Sequence, residues 1–165
     1  MPKVEILQQK GHNFLWIDGL LCMWDIPTEI SEQKQVASES YGEVLVAGYG
    51  LGMVQKYLTE NLKVKSVLTI EKLEEVANLA KKTYGKIYGD VEINDFYNYN
   101  SERKFDCVIG DIWKDITPWD LGDYKKFKNK AKKLVKENGK ILAWGQRFFE
   151  YLLKNECMGK ENEII

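Results

Sequence analysis

The sequence predicts an α/β domain in which a parallel β-sheet carries helices on both faces. Five short apolar runs rich in β-branched residues alternate with segments in which apolar residues recur at helical spacing. Each run is almost continuously apolar, as expected for strands that are covered on both faces. The first run leads directly into a glycine-rich loop, Gly48 to Gly52, which indicates a tight turn between a strand and a helix.

A β-hairpin is predicted ahead of this sheet. Two apolar runs within residues 14–24 flank Asp18-Gly19, a pair that favours the left-handed backbone of a tight hairpin turn. Apolar residues fall on both faces of this ribbon, so we expect the rest of the domain or a partner subunit to cover them. Pro27 and the polar stretch after it are interpreted as a linker. The predicted organisation is a hairpin extension with linker over residues 1–40 and the main domain over residues 41–165.

The main domain is expected to contain five strands separated by helices. The strands are predicted, in order, at 43–48, 64–71, 86–90, 104–111 and 138–145. Helical spacing is found at 53–62, 72–85, 124–136 and 147–155. Strands that alternate with helices in this way pair in parallel through right-handed crossovers. Their carboxyl ends then meet at one edge of the sheet, which is where such folds bind ligands.

Composition excludes several classes of protein. The 165 residues suit one domain, with 44% hydrophobic residues, 30% charged residues and a net charge of −1. This balance argues against nucleic acid or an acidic membrane as partner, and the lysines of 124–136 are interpreted as a solvated helix face. No membrane span or signal peptide is predicted. Cys22, Cys107 and Cys157 lack metal-ligand spacing and His12 is the only histidine, so we expect free thiols, no metal and a cytoplasmic protein.

The loop after the first strand supplies the first candidate binding residues, Gly48, Tyr49, Gly50 and Gly52. Glycines let a backbone turn sharply and approach a ligand closely, and the following helix directs its positive dipole end to the same space. Such a loop alone is a weak indication. A dinucleotide fingerprint requires a small residue where Met53 stands, and no Gly-Lys-Ser/Thr follows to make a phosphate-binding loop. The loop therefore favours a ligand with one ribose and no pyrophosphate.

Acidic residues occupy the predicted ends of the next three strands. Glu71 lies about twenty residues after the loop, where an acid accepts hydrogen bonds from both ribose hydroxyls. Asp90, followed by Val91, is placed to accept from an exocyclic amine such as that of adenine. Asp111 lies beside the reacting end of a ligand laid across the strands, with Trp113 close behind it. Each acid alone has a structural explanation, such as a turn or a helix cap, but together they predict an adenosyl nucleotide site.

Three segments resemble one known family, the spermidine synthase branch of the class I S-adenosylmethionine-dependent transferases. LWIDG, residues 15–19, is similar to the L-x-x-D-G turn of that family's amino-terminal β region. VLVAGYGLGM, residues 44–53, stands where the family has an apolar run followed by G-G-G-D-G-G, and DIWKD, residues 111–115, aligns with its D-S-S-D-P motif. The likeness extends over about residues 13–148 and implies a Rossmann-like class I methyltransferase domain.

The resemblance also implies a cofactor and residue roles. The cofactor would be S-adenosylmethionine or its decarboxylated form, with no metal. Glu71 corresponds to the family's ribose-binding acid, Asp90 to its adenine-side acid and Asp111 to its catalytic aspartate. Asp111 would act as the base or orient an amine, and we expect Tyr49 and Trp113 to flank the sulfonium, because aromatic faces attract cations.

Departures from the family pattern separate methyl transfer from aminopropyl transfer. Leu51 replaces the aspartate of the glycine loop, and Lys114 and Asp115 stand where a second aspartate and its proline would be. In the family these aspartates help to hold cationic amines, which a lysine repels. Methyl transfer to a small acceptor is therefore the first hypothesis, with aminopropyl transfer as its alternative.

A second class of function is a nucleotide-binding subunit without chemistry of its own. Few residues follow the fifth strand, so we expect the carboxyl-terminal strands of the family's sheet to be reduced or missing. The fifth strand would then be an exposed edge, which predicts a homodimer formed through that edge or through the hairpin. An Asp111 that faces an open pocket favours the enzyme, whereas an Asp111 that caps a helix favours the binding subunit.

Overall fold

Two β-sheets make up the structure, a computed structural model that describes the backbone of residues 1–162 and the side chains of residues 1–155. A three-stranded antiparallel sheet precedes a five-stranded parallel sheet, and helices cover the latter. The α/β class, the parallel sheet and the hairpin ahead of it are confirmed.

The antiparallel sheet consists of β1 (Val4–Gln9), β2 (His12–Ile17) and β3 (Leu20–Trp24). Lys10-Gly11 and Asp18-Gly19 connect them, and all four residues have positive φ, as two-residue hairpin turns require. The predicted hairpin is β2 with β3, and β1, which the sequence analysis missed, pairs with β2 along its whole length. The Lys-Gly pair was the signal for this additional strand.

Helix α1 (Pro27–Ser38) replaces the expected linker. Its proline stands in the first turn, where the missing N–H costs nothing. The buried residues Glu29, Gln33 and Ala37 recur at helical spacing, but two of the three are polar. The linker interpretation was wrong because the sequence offers no apolar stripe on this helix.

The parallel sheet has the strand order β6-β5-β4-β7-β8. Its strands are β4 (Gly42–Ala47), β5 (Val64–Glu71), β6 (Asp90–Ile93), β7 (Phe105–Gly110) and β8 (Val135–Ala143). The chain passes from β4 to β5 on one side and later returns to place β7 on the other. The strand order therefore reverses at β4, whose carboxyl end is the expected position of a ligand.

Four further helices pack around this sheet: α2 (Met53–Glu60), α3 (Glu74–Tyr84), α4 (Leu121–Ala131) and α5 (Gln146–Asn162). One apolar cluster joins the sheet to α4 and α5, and a second joins its other face to α1 and α2. A third cluster, which includes Leu15, Met53 and Val76, joins the hairpin to α2 and α3. The body of the domain thus covers one face of the hairpin.

The third strand differs from its predicted position at 86–90, because β6 begins only at Asp90. It is a short edge strand that pairs with β5 alone, and three of its four residues are exposed. Edge strands lack the continuous apolar run of central strands. The more apolar residues before β6, Ile87 and Tyr88, therefore led to a strand being predicted too early in the sequence.

Strand β8 lies at the other edge of the sheet, and α5 follows it to Asn162 with no further strand in the described residues. Residues 163–165 and the side chain of Cys157 lie outside the described part of the chain. None of the helices within residues 1–162 is long and apolar enough to cross a membrane. The homodimer and the cytoplasmic location stay predictions.

Candidate functional site

An open cavity of about 780 Å³ lies at the carboxyl edge of the parallel sheet. The segments that follow β4, β5, β6 and β7 all contribute to its lining, and the β2–β3 hairpin forms the facing wall. Its volume falls within the range of small-molecule sites. The cavity is therefore at the switch point, where the topology favours a ligand.

The glycine loop after β4 forms one side of this cavity. Gly48 and Gly50 line it with φ values of 88° and 56°, a region that favours glycine. The hairpin rests on the loop, because the Leu51 N–H donates to Met23 Sδ at 3.3 Å. Leu51 itself is buried, so this chain has an apolar core residue where the resembling family has an aspartate.

Glu71 joins the glycine loop to the end of β5. Its side chain lines the cavity, although the residue is only 7% exposed. The Tyr49 N–H donates to Glu71 Oε1 at 2.9 Å, and the Leu73 N–H donates to Oε2 at 2.8 Å. A carboxylate oxygen has a second lone pair, so both atoms can accept from a ligand as well. The structure places Glu71 where the sequence predicted it, together with Gly48 and Gly50.

Asp90 and Val91 are placed differently from the prediction. Asp90 is the exposed first residue of β6, at the amino end of the strand rather than its carboxyl end, and neither residue lines the cavity. Asp95 and Phe96, which follow β6, line it instead. The Tyr97 N–H donates to Asp95 Oδ1 at 2.9 Å, which fixes this carboxylate in a turn. The acid missed by the sequence analysis follows the true strand end.

Asp111 directly follows β7 and lines the cavity. It accepts a hydrogen bond from Gln33 Nε2 at 3.1 Å, and the same amide nitrogen donates to Glu29 Oε1 at 3.2 Å. The next helical turn begins only at Pro118, so Asp111 does not cap a helix. Of the two placements considered from the sequence, the structure shows the one that favours an enzyme.

The surroundings of Asp111 favour its protonated form. Burial and the nearby acids Glu29 and Glu32 together raise the pKa of Asp111 to about 7, against the lowering effect of the hydrogen bond from Gln33. Burial also raises the pKa of Glu29 above its usual value. A carboxylate that exchanges its proton near neutral pH has the property that a general base needs.

The two aromatic candidates differ in their positions. Tyr49 is 2% exposed and does not line the cavity, and its hydroxyl accepts from the Tyr88 N–H at 3.1 Å. Its expected place beside a sulfonium is therefore wrong, because the side chain packs under Gly52, where a Cβ atom would lie 2.5 Å from Tyr49 Oη. Trp113 does line the cavity, but it is 5% exposed and packs edge-on against the aromatic core.

Both lysines and acids line the rest of the cavity. Lys72, Lys114 and Lys126 line it together with Asp18 and Asp115. This mixture contrasts with a purely acidic wall that would attract a polycation. Among the side chains of residues 1–155, no group of three histidine, cysteine, aspartate or glutamate residues is placed to hold a metal ion.

The fold is shared with spermidine synthases and methyltransferases. The spermidine synthase of Thermotoga maritima has a TM-score of 0.63 at 16% identity, over 84% of this chain and 52% of that one. A S-adenosylmethionine-dependent methyltransferase from Clostridium acetobutylicum ATCC 824 has a TM-score of 0.51 at 20% identity, over 68% of this chain and 49% of that one. The chain therefore has the class I methyltransferase fold.

A sequence relative carries a related name. "Putative methyltransferase 235L" of Invertebrate iridescent virus 6 is 28% identical over 133 residues, which are 79% of this chain and 47% of that protein. No protein-family model matches the chain. The chain spans about half the length of each of these three similar proteins.

Proposed function

We propose that this chain is an S-adenosylmethionine-dependent transferase that methylates a small acceptor. The observation that carries the proposal is the single cavity in which the glycine loop, Glu71, Asp95 and Asp111 meet at the switch point of a class I methyltransferase fold. Each of these features follows a different strand, so their convergence is a property of the whole sheet.

The lining of the cavity suits the cofactor. Gly48 and Gly50 expose backbone without side chains, Glu71 offers carboxylate oxygens for ribose hydroxyls, and Asp95 offers an acceptor for the adenine amine. Trp113 and Phe96 supply an apolar surface for the adenine ring. When bound, S-adenosylmethionine supplies a methyl carbon whose bond to sulfur breaks with the electron pair going to sulfur.

Asp111 is the proposed base. It faces the cavity after β7, and its raised pKa makes proton uptake near neutral pH possible. Its carboxylate would take the proton that the acceptor loses. The binding-subunit hypothesis explains neither the position of Asp111 nor its buried acidic neighbours. We therefore prefer the enzyme hypothesis.

Methyl transfer is preferred to aminopropyl transfer because of two positions in the site. Lys114 lines the cavity, where its charge attracts the carboxylate that S-adenosylmethionine has and its decarboxylated form lacks. Leu51 is buried and apolar, so the loop provides no acid for a cationic amine. The larger share of the chain covered by the spermidine synthase structure is the observation that keeps aminopropyl transfer as the second candidate.

A label-transfer assay tests the proposal. The full chain is incubated with methyl-labelled S-adenosylmethionine and, separately, with aminopropyl-labelled decarboxylated cofactor, each with a panel of small amines, carboxylic acids, alcohols and thiols. We expect methyl label in at least one product, and labelling about 10³-fold slower with Asp111→Asn. Transfer of the aminopropyl label alone would reverse the preference, and cofactor binding without transfer to the panel would support the binding subunit.

A further inference from the structure

A buried polar layer on α1 lies against Asp111. Glu29 and Gln33 are one helical turn apart, are 8% and 4% exposed, and form most of the buried face of that helix. Long polar side chains are seldom buried unless they are paired. The layer therefore needs an explanation that the binding of a nucleotide by the glycine loop does not supply.

One amide nitrogen connects the two carboxyl groups. Gln33 Nε2 donates to Glu29 Oε1 at 3.2 Å and to Asp111 Oδ2 at 3.1 Å, which uses both of its N–H groups. Asp111 Oδ1, the other oxygen of that carboxyl group, accepts no hydrogen bond from the residues that the structure describes. Gln33 thus holds one oxygen of Asp111 and leaves the second available.

Among the side chains of residues 1–155, no cation pairs with Glu29 or Asp111. An amide is neutral, and Glu29 and Asp111 form no ion pair within the described side chains. The ionisable groups that act on Asp111 are Glu29 and Glu32, both acidic and both on α1, and the Trp144 indole N–H donates to Glu32 Oε2 at 3.0 Å. Two half-buried or buried carboxylates that share a neutral donor resist being ionised together.

We propose that Glu29, Gln33 and Asp111 form one proton-sharing unit, in which Gln33 is a positioning residue for Asp111 and Glu29 competes with Asp111 for a single proton. The proposal rests on the proposed function in one respect, namely that Asp111 is the base. Gln33 orients Asp111 Oδ2 toward α1, and the charge on Glu29 decides whether Asp111 is free to accept a proton. Helix α1 therefore controls the reacting side of the cavity.

The test is an NMR titration of the Asp111 carboxyl carbon in the full chain without cofactor, with the signal assigned through Asp111→Asn. Glu29→Gln removes a negative charge at nearly constant volume, so we expect the titration midpoint of Asp111 to fall by about one pH unit. Gln33→Leu removes the donor to the ionised form, so the midpoint is expected to rise. Retained backbone NMR spectra establish that each variant is folded.

A matched control is available on the same helix. Gln35 Nε2 donates to Glu39 Oε1 at 3.0 Å, also one turn away, but on the exposed face. Gln35→Leu should therefore leave the Asp111 midpoint unchanged. If Gln33 were merely structural, Gln33→Leu would lower the melting temperature without moving the midpoint, and an unmoved midpoint in Glu29→Gln as well would overturn the proposal.

The titration separates this inference from the proposed function. It needs neither cofactor nor acceptor, so the shifts remain measurable in a chain that binds no S-adenosylmethionine. Loss of the function alone would appear as shifted midpoints without cofactor binding. Loss of the inference alone would appear as normal cofactor binding with the same midpoint in the wild type, Glu29→Gln and Gln33→Leu.

Discussion

Two carboxylates on opposite sides of β4 are held in different ways. Glu71, at the end of β5, accepts a backbone N–H on each oxygen, one from the glycine loop and one from its own turn. Asp111, after β7, accepts from a side-chain amide and stands near two further acids. Backbone donors are fixed by the fold, whereas side-chain partners can be exchanged one residue at a time.

From this difference we infer two halves of the cavity, to which the proposed function gives separate tasks. The Glu71 half is formed by main-chain geometry and suits the ribose of the cofactor. The Asp111 half is built by side chains of α1 and suits proton transfer to or from an acceptor. Substitutions in the Glu71 half should therefore change cofactor affinity more than turnover, and substitutions in the Asp111 half should do the reverse.

The largest expected effect is on transfer in Asp111→Asn. Loss of a general base reduces turnover by about 10³-fold, and cofactor affinity should stay within about threefold of the wild type. Single-turnover transfer of methyl label and calorimetric titration with S-adenosylhomocysteine measure the two quantities. A loss of affinity as large as the loss of turnover would break the division into halves.

The next effect is on cofactor affinity in Glu71→Gln. An amide offers one acceptor in place of two oxygens, and its NH₂ group faces a backbone N–H, so affinity should fall by about 10–100-fold. The same calorimetric titration measures it. Turnover at saturating cofactor should fall much less than affinity, and the reverse pattern would contradict the role of Glu71.

A smaller effect distinguishes the two candidate acids of the third strand. Asp95→Asn should weaken cofactor binding by about tenfold, because the proposed acceptor for the adenine amine gains a donor. Asp90→Asn, at the exposed start of β6, is the control and should bind as the wild type does. Equal losses in both variants would show that the strand end does not decide adenine recognition.

The smallest effect is on stability, and its sign depends on pH. The pKa of Asp111 is raised in the folded protein to about 7, so the native state retains a proton that the unfolded chain releases. Stability from this group is present at low pH and is lost as pH rises toward 7. Asp111→Asn avoids the buried charge, so the stability of this variant relative to wild type should be about 1 kcal/mol greater at pH 8 than at pH 6.

Urea unfolding at the two pH values measures this gain. The same free-energy difference between Asp111→Asn and wild type at pH 6 and pH 8 would contradict the account of the Asp111 environment.

The sequence revealed the Glu71 half better than the Asp111 half, for a physical reason. Central strands such as β4 and β5 are buried toward their carboxyl ends, so the apolar residues there locate these ends to within a residue. Edge strand β6 has no such run, which is why Asp90 was chosen in place of Asp95. Leu51 and Lys114, the departures from the family motif, were visible directly.

The partners of Asp111 could not be predicted. Asp111 itself follows the apolar strand β7 and was found, but Gln33 and Glu29 lie on a helix whose buried face is polar. Burial of such residues depends on a long-range contact with Asp111, and the spacing of apolar residues in the local sequence does not reveal such a contact. The predicted position of Tyr49 beside the sulfonium was wrong for a similar reason, because only the tertiary structure shows its ring packed under Gly52.

The most direct test of the central claim is calorimetric titration of the wild-type chain with S-adenosylmethionine, its decarboxylated form and methylthioadenosine. We predict saturable binding of S-adenosylmethionine, weaker binding of the decarboxylated form because Lys114 loses its carboxylate partner, and competition by methylthioadenosine for the same site. No binding of any of the three would contradict the account, since the glycine loop and Glu71 would then serve the fold alone.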